Sequence, residues 1–198
     1  MKKMKARTVH LPLLALALGF GLTAIPSMTA RTASSGEETS TQAARDSSRY
    51  EQRLKEEVRH QLVMLPWYSV FDNLAYRIEG TTVILEGQVQ RPSLKPDAES
   101  AVKRIEGVET VVNNIEVLPP SPNDDRIRRA TYRAIYRSAT LQRYALQAVP
   151  PIHIIVKSGH ITLEGVVANQ ADKDIANIRA RGVAGSFSVT NNLSVEKN

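Results

Sequence analysis

A tandem duplication constrains the fold of this chain more than any other feature of its sequence. The stretch TVILEGQV at 82–89 is matched by HITLEGVV at 160–167, a shift of 78 positions. At the same shift Gly107 corresponds to Gly185, and Asn113 corresponds to Asn191. A constant shift kept without a gap over about 45 residues is not expected by chance. The chain therefore encodes one small folding unit twice.

Each copy predicts the same order of elements, αββαβ. Apolar residues first recur at helical spacing, then alternate in two short runs, as in a β-hairpin. A second helical stripe and a last alternating run follow. Because a connection through a helix places strands in parallel, we expect a small mixed three-stranded sheet with both helices on one face. The predicted class is α+β, built from two tandem αββαβ repeats.

Matched positions of the two copies define a structural motif. Its residues are Val83, Leu85, Gly87, Val89, Gly107 and Asn113 in the first copy, and Ile161, Leu163, Gly165, Val167, Gly185 and Asn191 in the second. A glycine inside a strand usually lets another backbone approach closely, so Gly87 and Gly165 are interpreted as packing positions, not ligand sites. The two asparagines are expected to hydrogen-bond local backbone near the last strand.

The regions outside the repeats predict how the chain is organised. Cations at the N-terminus, an apolar run at 11–25 and small residues near 27–30 are typical of a secretory signal peptide, although an uncleaved anchor is the alternative. The absence of cysteine excludes disulfides, thiol nucleophiles and lipoprotein-type attachment. The predicted segments are a signal peptide (1–30), a flexible linker (31–45), a first domain (46–118), a proline-rich linker (119–122) and a second domain (123–198).

The motif resembles the BON-domain family of osmotically induced and nodulation-associated bacterial envelope proteins. The shared pattern is Val-x-Leu-x-Gly-x-Val, a helix, and then Gly-Val followed by Val and Asn. The second copy departs from it at Ser186, which replaces a valine, and Phe187 is expected to fill that space. The resemblance implies an αββαβ fold, export to the periplasm, no catalysis and no cofactor. It also implies a role in binding phospholipid surfaces or protecting the envelope under osmotic stress.

Charge is distributed unequally between the two copies. The whole chain carries +6, of which four cations lie in the predicted signal peptide. Residues 46–118 carry −3 and residues 123–198 carry +5. Nucleic acid is not an expected partner, because the remaining net charge is small and the protein is predicted to be exported. Duplicates that differ in charge are expected to face different partners.

The excess cations of the second copy lie on one predicted helix. At 100° per residue, four arginines fall within about 80° of one another, namely Arg126, Arg129, Arg133 and Arg137. The adjoining face is assigned to the core and carries Ile127, Thr131, Ala134, Ile135 and Ser138. Tyr132 and Tyr136 flank the arginines on the other side. A cationic stripe edged by tyrosines suits an anionic lipid surface, and the alternative is an ordinary solvated face with packed tyrosines.

Other candidate sites carry weaker signals. No nucleophile motif, phosphate loop or spaced carboxylate pair is present, so no enzymatic activity is predicted. No metal is expected, because His153 and His160 lack a carboxylate partner at metal-ligand spacing. Trp67 and Tyr68 follow the first helix, where capping of the core is favoured over ligand stacking.

A second function is compatible with the same sequence. The chain could be a soluble chaperone-like or protein-interaction protein that uses exposed apolar sheet positions, such as Ile84, Ile155 and Val166. Salt distinguishes the two functions, because docking on charged headgroups weakens as salt rises and apolar binding does not.

Overall fold

A computed structural model of the protein describes residues 35–147 and 149–196; the predicted signal peptide lies outside them. The first repeat contains α1 (Ser35–Val63), β1 (Asn73–Glu79), β2 (Thr82–Val89), α2 (Leu94–Lys103), β3 (Thr110–Asn113) and β4 (Glu116–Val117). The second contains α3 (Pro122–Tyr136), a 3-10 helix (Gln142–Leu146), β5 (Ile152–Lys157), β6 (His160–Val167), α4 (Gln170–Arg181), β7 (Ser188–Asn191) and β8 (Ser194–Val195). The predicted α+β class and the duplicated order of elements are confirmed.

The first helix begins earlier than predicted. It starts at Ser35, so most of the segment 31–45, predicted as a flexible linker, is helical where it is described. No proline interrupts the helix, and Glu, Gln, Ala and Arg favour helical backbone even where no apolar stripe is present. Both predicted domains lie within one compact unit, Ala43–Asn198.

Each repeat has its second strand at the centre of a mixed sheet. β2 pairs antiparallel with β1 and parallel with β3 and β4, and β6 pairs in the same way with β5, β7 and β8. The shift of 78 positions is kept in the parallel register, because Leu85 pairs with Asn113 and Leu163 pairs with Asn191. Corresponding residues of the two copies therefore occupy equivalent places in the two sheets.

The last strand of each repeat is broken in two, and the asparagines of the motif explain the break. Asn113 Oδ1 accepts a hydrogen bond from Ile115 N (3.2 Å), while Asn113 Nδ2 donates to Lys95 O at the start of α2 (2.8 Å). Asn191 makes the equivalent pair of bonds in the second repeat. These side chains turn the backbone between the two short strands and join it to a helix, as predicted for residues that bond local backbone.

Both helices of a repeat cover the same face of its sheet. In the first repeat, buried residues of α1 and α2 form one cluster with Val83, Leu85 and Val89 of β2. In the second, buried residues of α3 and α4 form one cluster with Ile161, Leu163 and Val167 of β6. Each repeat therefore has its own core, as the alternation of apolar residues predicted.

The first helices of the two repeats do not follow the shift of 78 positions. The buried residues Leu54 and Leu62 of α1 correspond to Ile127 and Ile135 of α3, and each pair is 73 positions apart. The five-residue 3-10 helix Gln142–Leu146 makes up the difference. It is an insertion in the second repeat, which explains why the sequence repeat becomes continuous only from the hairpin onward.

The two domains pack against each other through the segment that follows α1. Val70 of this segment belongs to the core cluster of the second domain, and its carbonyl accepts a hydrogen bond from Ile154 N (2.8 Å). The ring of Tyr68 lies 5.7 Å from that of His153 on β5. An ion pair between Lys157 and Glu116 also crosses the junction, at 2.5 Å.

Candidate functional site

The helix α3, which carries the predicted arginine stripe, is fixed at its start by two side chains. Ser121 caps the helix by accepting a hydrogen bond from Asp124 N (3.2 Å), and Pro122 occupies its first turn. The Asp124 carboxylate is buried and accepts from Ser158 N (2.9 Å) and Gly159 N (2.8 Å) in the turn between β5 and β6. These bonds hold the N-terminal end of α3 in place on the sheet.

The face of α3 that was assigned to the core is largely buried. Ile127, Thr131, Ile135 and Ser138 are buried, whereas Ala134 is half-buried. The Thr131 hydroxyl donates to the carbonyl of Ile127 (2.9 Å), which satisfies its polar group inside the core. The orientation of the helix therefore agrees with the predicted one.

The four arginines of the predicted stripe lie together on the exposed face of α3. Arg126, Arg129, Arg133 and Arg137 are all exposed. None of the four forms an ion pair with any residue in 35–147 or 149–196, and Arg126 donates a hydrogen bond to the neutral side chain of Asn123 (Oδ1, 2.9 Å). The structure thus presents a cationic surface whose charges are largely uncompensated; the name arginine stripe is kept for these four residues.

Neither tyrosine that was expected to flank the stripe is fully exposed beside it. Tyr136 is only 5 % exposed; its hydroxyl donates to Ile152 O (2.7 Å) and accepts from Ile152 N (3.2 Å). Burial raises the pKa of Tyr136 above its usual value. Tyr132 is half-buried, with ring-centre distances of 4.8 Å to Tyr136 and 6.1 Å to Phe71. Tyr136 is a core residue, and the prediction that it is part of a membrane-facing surface is wrong.

Arg128 is a buried cation that the sequence interpretation missed. It is 2 % exposed; Nη1 donates to Asp125 Oδ1 (2.5 Å) and Nη2 to the carbonyl of Val156 (2.6 Å). Its Nε is buried and has no hydrogen-bond partner among the described residues. A signal was available, because Arg128 lies four residues after the buried Asp124 and three before the buried Thr131, on the inward side of the helix.

Two aromatic residues are exposed where burial was predicted. Trp67 is 68 % exposed and has a positive φ of 70°, and the guanidinium of Arg91 lies 4.9 Å from its ring centre. It therefore does not cap the core, although Tyr68 beside it is half-buried. Phe187 is 76 % exposed, so it does not fill the space of the missing valine at Ser186. Its ring instead lies 5.7 Å from that of His160.

The motif glycines are packing positions, as predicted. A Cβ atom on Gly87 would lie 2.0 Å from the carbonyl oxygen of Asn73, and one on Gly165 would lie 1.9 Å from that of Pro151. Both glycines also have a positive φ, of 111° and 118° respectively. The close neighbour is the backbone of Asn73 in β1 or of Pro151 just before β5, so the absence of a side chain is needed for packing.

The apolar positions proposed for the alternative function are mostly covered. Ile84 and Ile155 are buried, and only Val166 is exposed, at 45 %. Within the described ranges no helix is both long and apolar enough to span a bilayer. The same residues contain no group of three or more histidine, aspartate or glutamate side chains placed to hold a metal ion.

Comparisons with known proteins identify the repeated unit. A family model described as "BON domain" matches residues 51–119 and again residues 123–197. No curated protein matches the chain. A solved structure of CdsD, described as a structural protein of the Type III secretion system of Chlamydia trachomatis, is 12 % identical with a TM-score of 0.30, covering 73 % of this chain and 92 % of that one. A structure of the CdsD C-terminal domain is 11 % identical, with a TM-score of 0.30 and coverage of 72 % and 96 %.

Proposed function

Because the chain belongs to the BON domain family, we propose that it is a periplasmic protein that docks on anionic phospholipid surfaces through its second domain. BON domains are non-enzymatic binding modules, generally associated with phospholipid binding and with envelope or osmotic-stress proteins. Their proteins are typically periplasmic or envelope-associated. Export of this chain would follow from the signal peptide predicted at 1–30, and its role would be to support envelope integrity or protect against osmotic stress.

The arginine stripe is the observation that carries this proposal. None of its four guanidinium groups makes an ion pair with a described residue, so their charges are available to an external anion. A cation near an anionic membrane surface contributes roughly 1 kcal/mol. Four such residues would give reversible docking, which suits a protein that moves between the solvent and the membrane.

The buried position of Tyr136 makes the proposed docking mainly electrostatic. Tyr136 lies in the core and is not free to insert at headgroup depth, and Tyr132 is half-buried, so the rings contribute less than the charges. Attraction between exposed charges is screened over about 10 Å at 0.1 M salt. Binding to anionic vesicles should therefore fall steeply as salt rises.

The first domain would serve a different partner. It carries −3 over residues 46–118, whereas the second domain carries +5 over residues 123–198. An anionic surface repels the first and attracts the second, so the first domain would face away from the bilayer. Because the first domain would not contact the bilayer, its expected partners are other proteins of the envelope.

Sedimentation with vesicles of varied anionic lipid content tests the proposal. Arg133→Glu combined with Arg137→Glu should reduce vesicle binding at least tenfold, because both residues lie on the stripe and away from the core. The matched control combines Arg179→Glu with Arg181→Glu, which changes the net charge equally on the exposed part of α4. Equal losses in the two variants would mean that net charge alone matters, and a parent protein that never binds would refute the proposal.

A chaperone-like function has less support. It requires exposed apolar sheet positions, and of those proposed only Val166 is exposed. Binding that persists at high salt, and that both charge-reversed variants retain, would favour this alternative over docking on lipid.

A further inference from the structure

A cleft of about 450 Å³ lies at the junction of the two domains. The first domain contributes Trp67 from the segment after α1 and Arg91 from the segment before α2. The second contributes Asp125, Arg128 and Arg129 from the first turns of α3. Arg129 also belongs to the arginine stripe, so the cleft adjoins the proposed docking surface.

The cations of the cleft outnumber its carboxylates. Three guanidinium groups line it, together with one carboxylate, that of Asp125. This carboxylate is already engaged, because it accepts hydrogen bonds from Arg128 Nη1 (2.5 Å) and from Gln90 Nε2 (2.9 Å). The nearby Asp72 is buried and accepts from Ser69 N, Ser69 Oγ and Gln90 N, at 3.0, 2.8 and 2.7 Å. The cleft therefore retains cationic charge without an anionic partner.

The buried guanidinium of Arg128 forms a fixed part of the wall of the cleft. An exposed arginine can swing into water, but Arg128 is held in the wall of the cleft by Asp125 and by the carbonyl of Val156. Its Nε has no partner among the described residues, and an unmet buried donor is costly. Because Arg128 occupies the Asp125 carboxylate, Arg91 and Arg129 are left without an ion-pair partner among the described residues.

Trp67 has a conformation that is unfavourable for the free protein. A positive φ is rare for a bulky residue, and strained backbone of this kind is concentrated at binding sites. Burial of the Trp67 side chain does not offset the strain, because the side chain is 68 % exposed. It does place the indole against the guanidinium of Arg91, which also lines the cleft, at the distance of a cation–π contact.

We propose that this cleft binds a phosphate group, which joins Arg91 of the first domain to Arg129 of the second. The oxygens of a phosphate point in several directions, so one group can accept from guanidinium forks on two walls. The phosphate belongs to a lipid headgroup or to a soluble phosphate ester. In the first case the cleft extends the proposed docking surface and rests on the proposed function; in the second it is independent of it.

Thermal unfolding of the full chain in inorganic phosphate and in chloride, at equal ionic strength, tests the site. A ligand that binds only the folded state raises the melting temperature, by about 2–6 °C when its concentration is well above the Kd. Arg91→Gln should abolish this rise. Arg104→Gln is the matched control, since it removes another exposed arginine of the first domain that does not line the cleft. The proposal would be overturned by an equal rise of the melting temperature in acetate or by a rise that persists in Arg91→Gln. It would also be overturned if phosphate did not raise the melting temperature of the parent protein.

Glycerol phosphate and phosphatidylglycerol vesicles distinguish the two sources. A lipid headgroup is indicated if Arg91→Gln weakens vesicle binding at least threefold with the stripe intact. A soluble ester is indicated if glycerol phosphate raises the melting temperature and vesicle binding is unchanged. The variant with Arg133→Glu and Arg137→Glu separates the proposals, since it should lose vesicle binding and retain the phosphate-induced rise. A parent that binds phosphate but no vesicles would refute only the proposed function.

Discussion

At the scale of single residues, Gly165 is a position where the structure leaves no room for a side chain. A Cβ atom there would lie 1.9 Å from the carbonyl oxygen of Pro151, and φ is 118°. Gly165→Val should reduce the free energy of unfolding by about 2–6 kcal/mol, from overpacking and backbone strain together. Gly182→Ala is the control, since its φ is negative and its nearest neighbour is at 3.6 Å. Denaturant unfolding measures both, and an unchanged stability of Gly165→Val would show that the position is open.

The roles of individual residues were predictable where the duplication repeats them. Gly165 and Asn191 recur at the same shift as Gly87 and Asn113, and the structure gives each pair the same contacts. Arg128 was not predictable in this way. Helical spacing places it on the inward side of α3, but its partner, the carbonyl of Val156, lies 28 positions away and is not part of a helical wheel of α3.

At the scale of elements, Tyr136 distinguishes a core tyrosine from a membrane anchor. Tyr136→Phe removes a hydroxyl that both donates to and accepts from the backbone of Ile152. Because buried backbone groups lose their partner, the free energy of unfolding should fall by about 1–3 kcal/mol. Vesicle binding by the folded variant should not change. If Tyr136→Phe lost vesicle binding while its stability was unchanged, Tyr136 would be part of the docking surface after all.

The elements that the sequence predicted well are those that the two copies share. The hairpins, the second helices and the faces of the sheets follow from alternation and helical spacing, and these features are the same in both repeats. The 3-10 helix Gln142–Leu146 was missed because it is present in one copy alone. The broken last strand was missed because a period of two does not reveal a turn made by the side chain of Asn113.

At the scale of the whole molecule, the packing of the two domains could not be predicted from the sequence. Val70 lies outside every periodic stripe of the first repeat, yet it completes the core of the second. The motif determines the interior of each repeat and contains no information about a contact that only one copy makes. The cleft lined by Trp67 and Arg129 escaped prediction for the same reason, since it exists only where the two domains meet.

His153 makes this junction sensitive to acid. Burial lowers the pKa of its imidazole, and hydrogen bonding to the Asp72 and Ser69 backbone and the charges of Asp72 and Glu164 oppose that shift only in part. The other titratable group against it is Tyr68, whose pKa burial raises to about 12, so Tyr68 remains neutral in acid. Because the pKa of His153 is lowered in the folded protein, the unfolded chain binds the proton at a higher pH than the folded protein does. The neutral imidazole of His153 therefore makes its full contribution to the free energy of unfolding above the ordinary pKa of about 6.5. This contribution is lost as the pH falls through the lowered pKa.

The free energy of unfolding should accordingly decrease between pH 7.5 and 5.5, by at most about 1.4 kcal/mol per pH unit for one proton. His153→Phe cannot titrate and keeps a ring beside Tyr68, so its unfolding free energy should vary much less over this range. His60→Gln is the control, because His60 is exposed on α1 and its replacement should leave the decrease intact. Denaturant unfolding across the pH range measures all three proteins. If His153→Phe loses as much stability as the parent, the acid sensitivity arises elsewhere and the junction is not the titrating element.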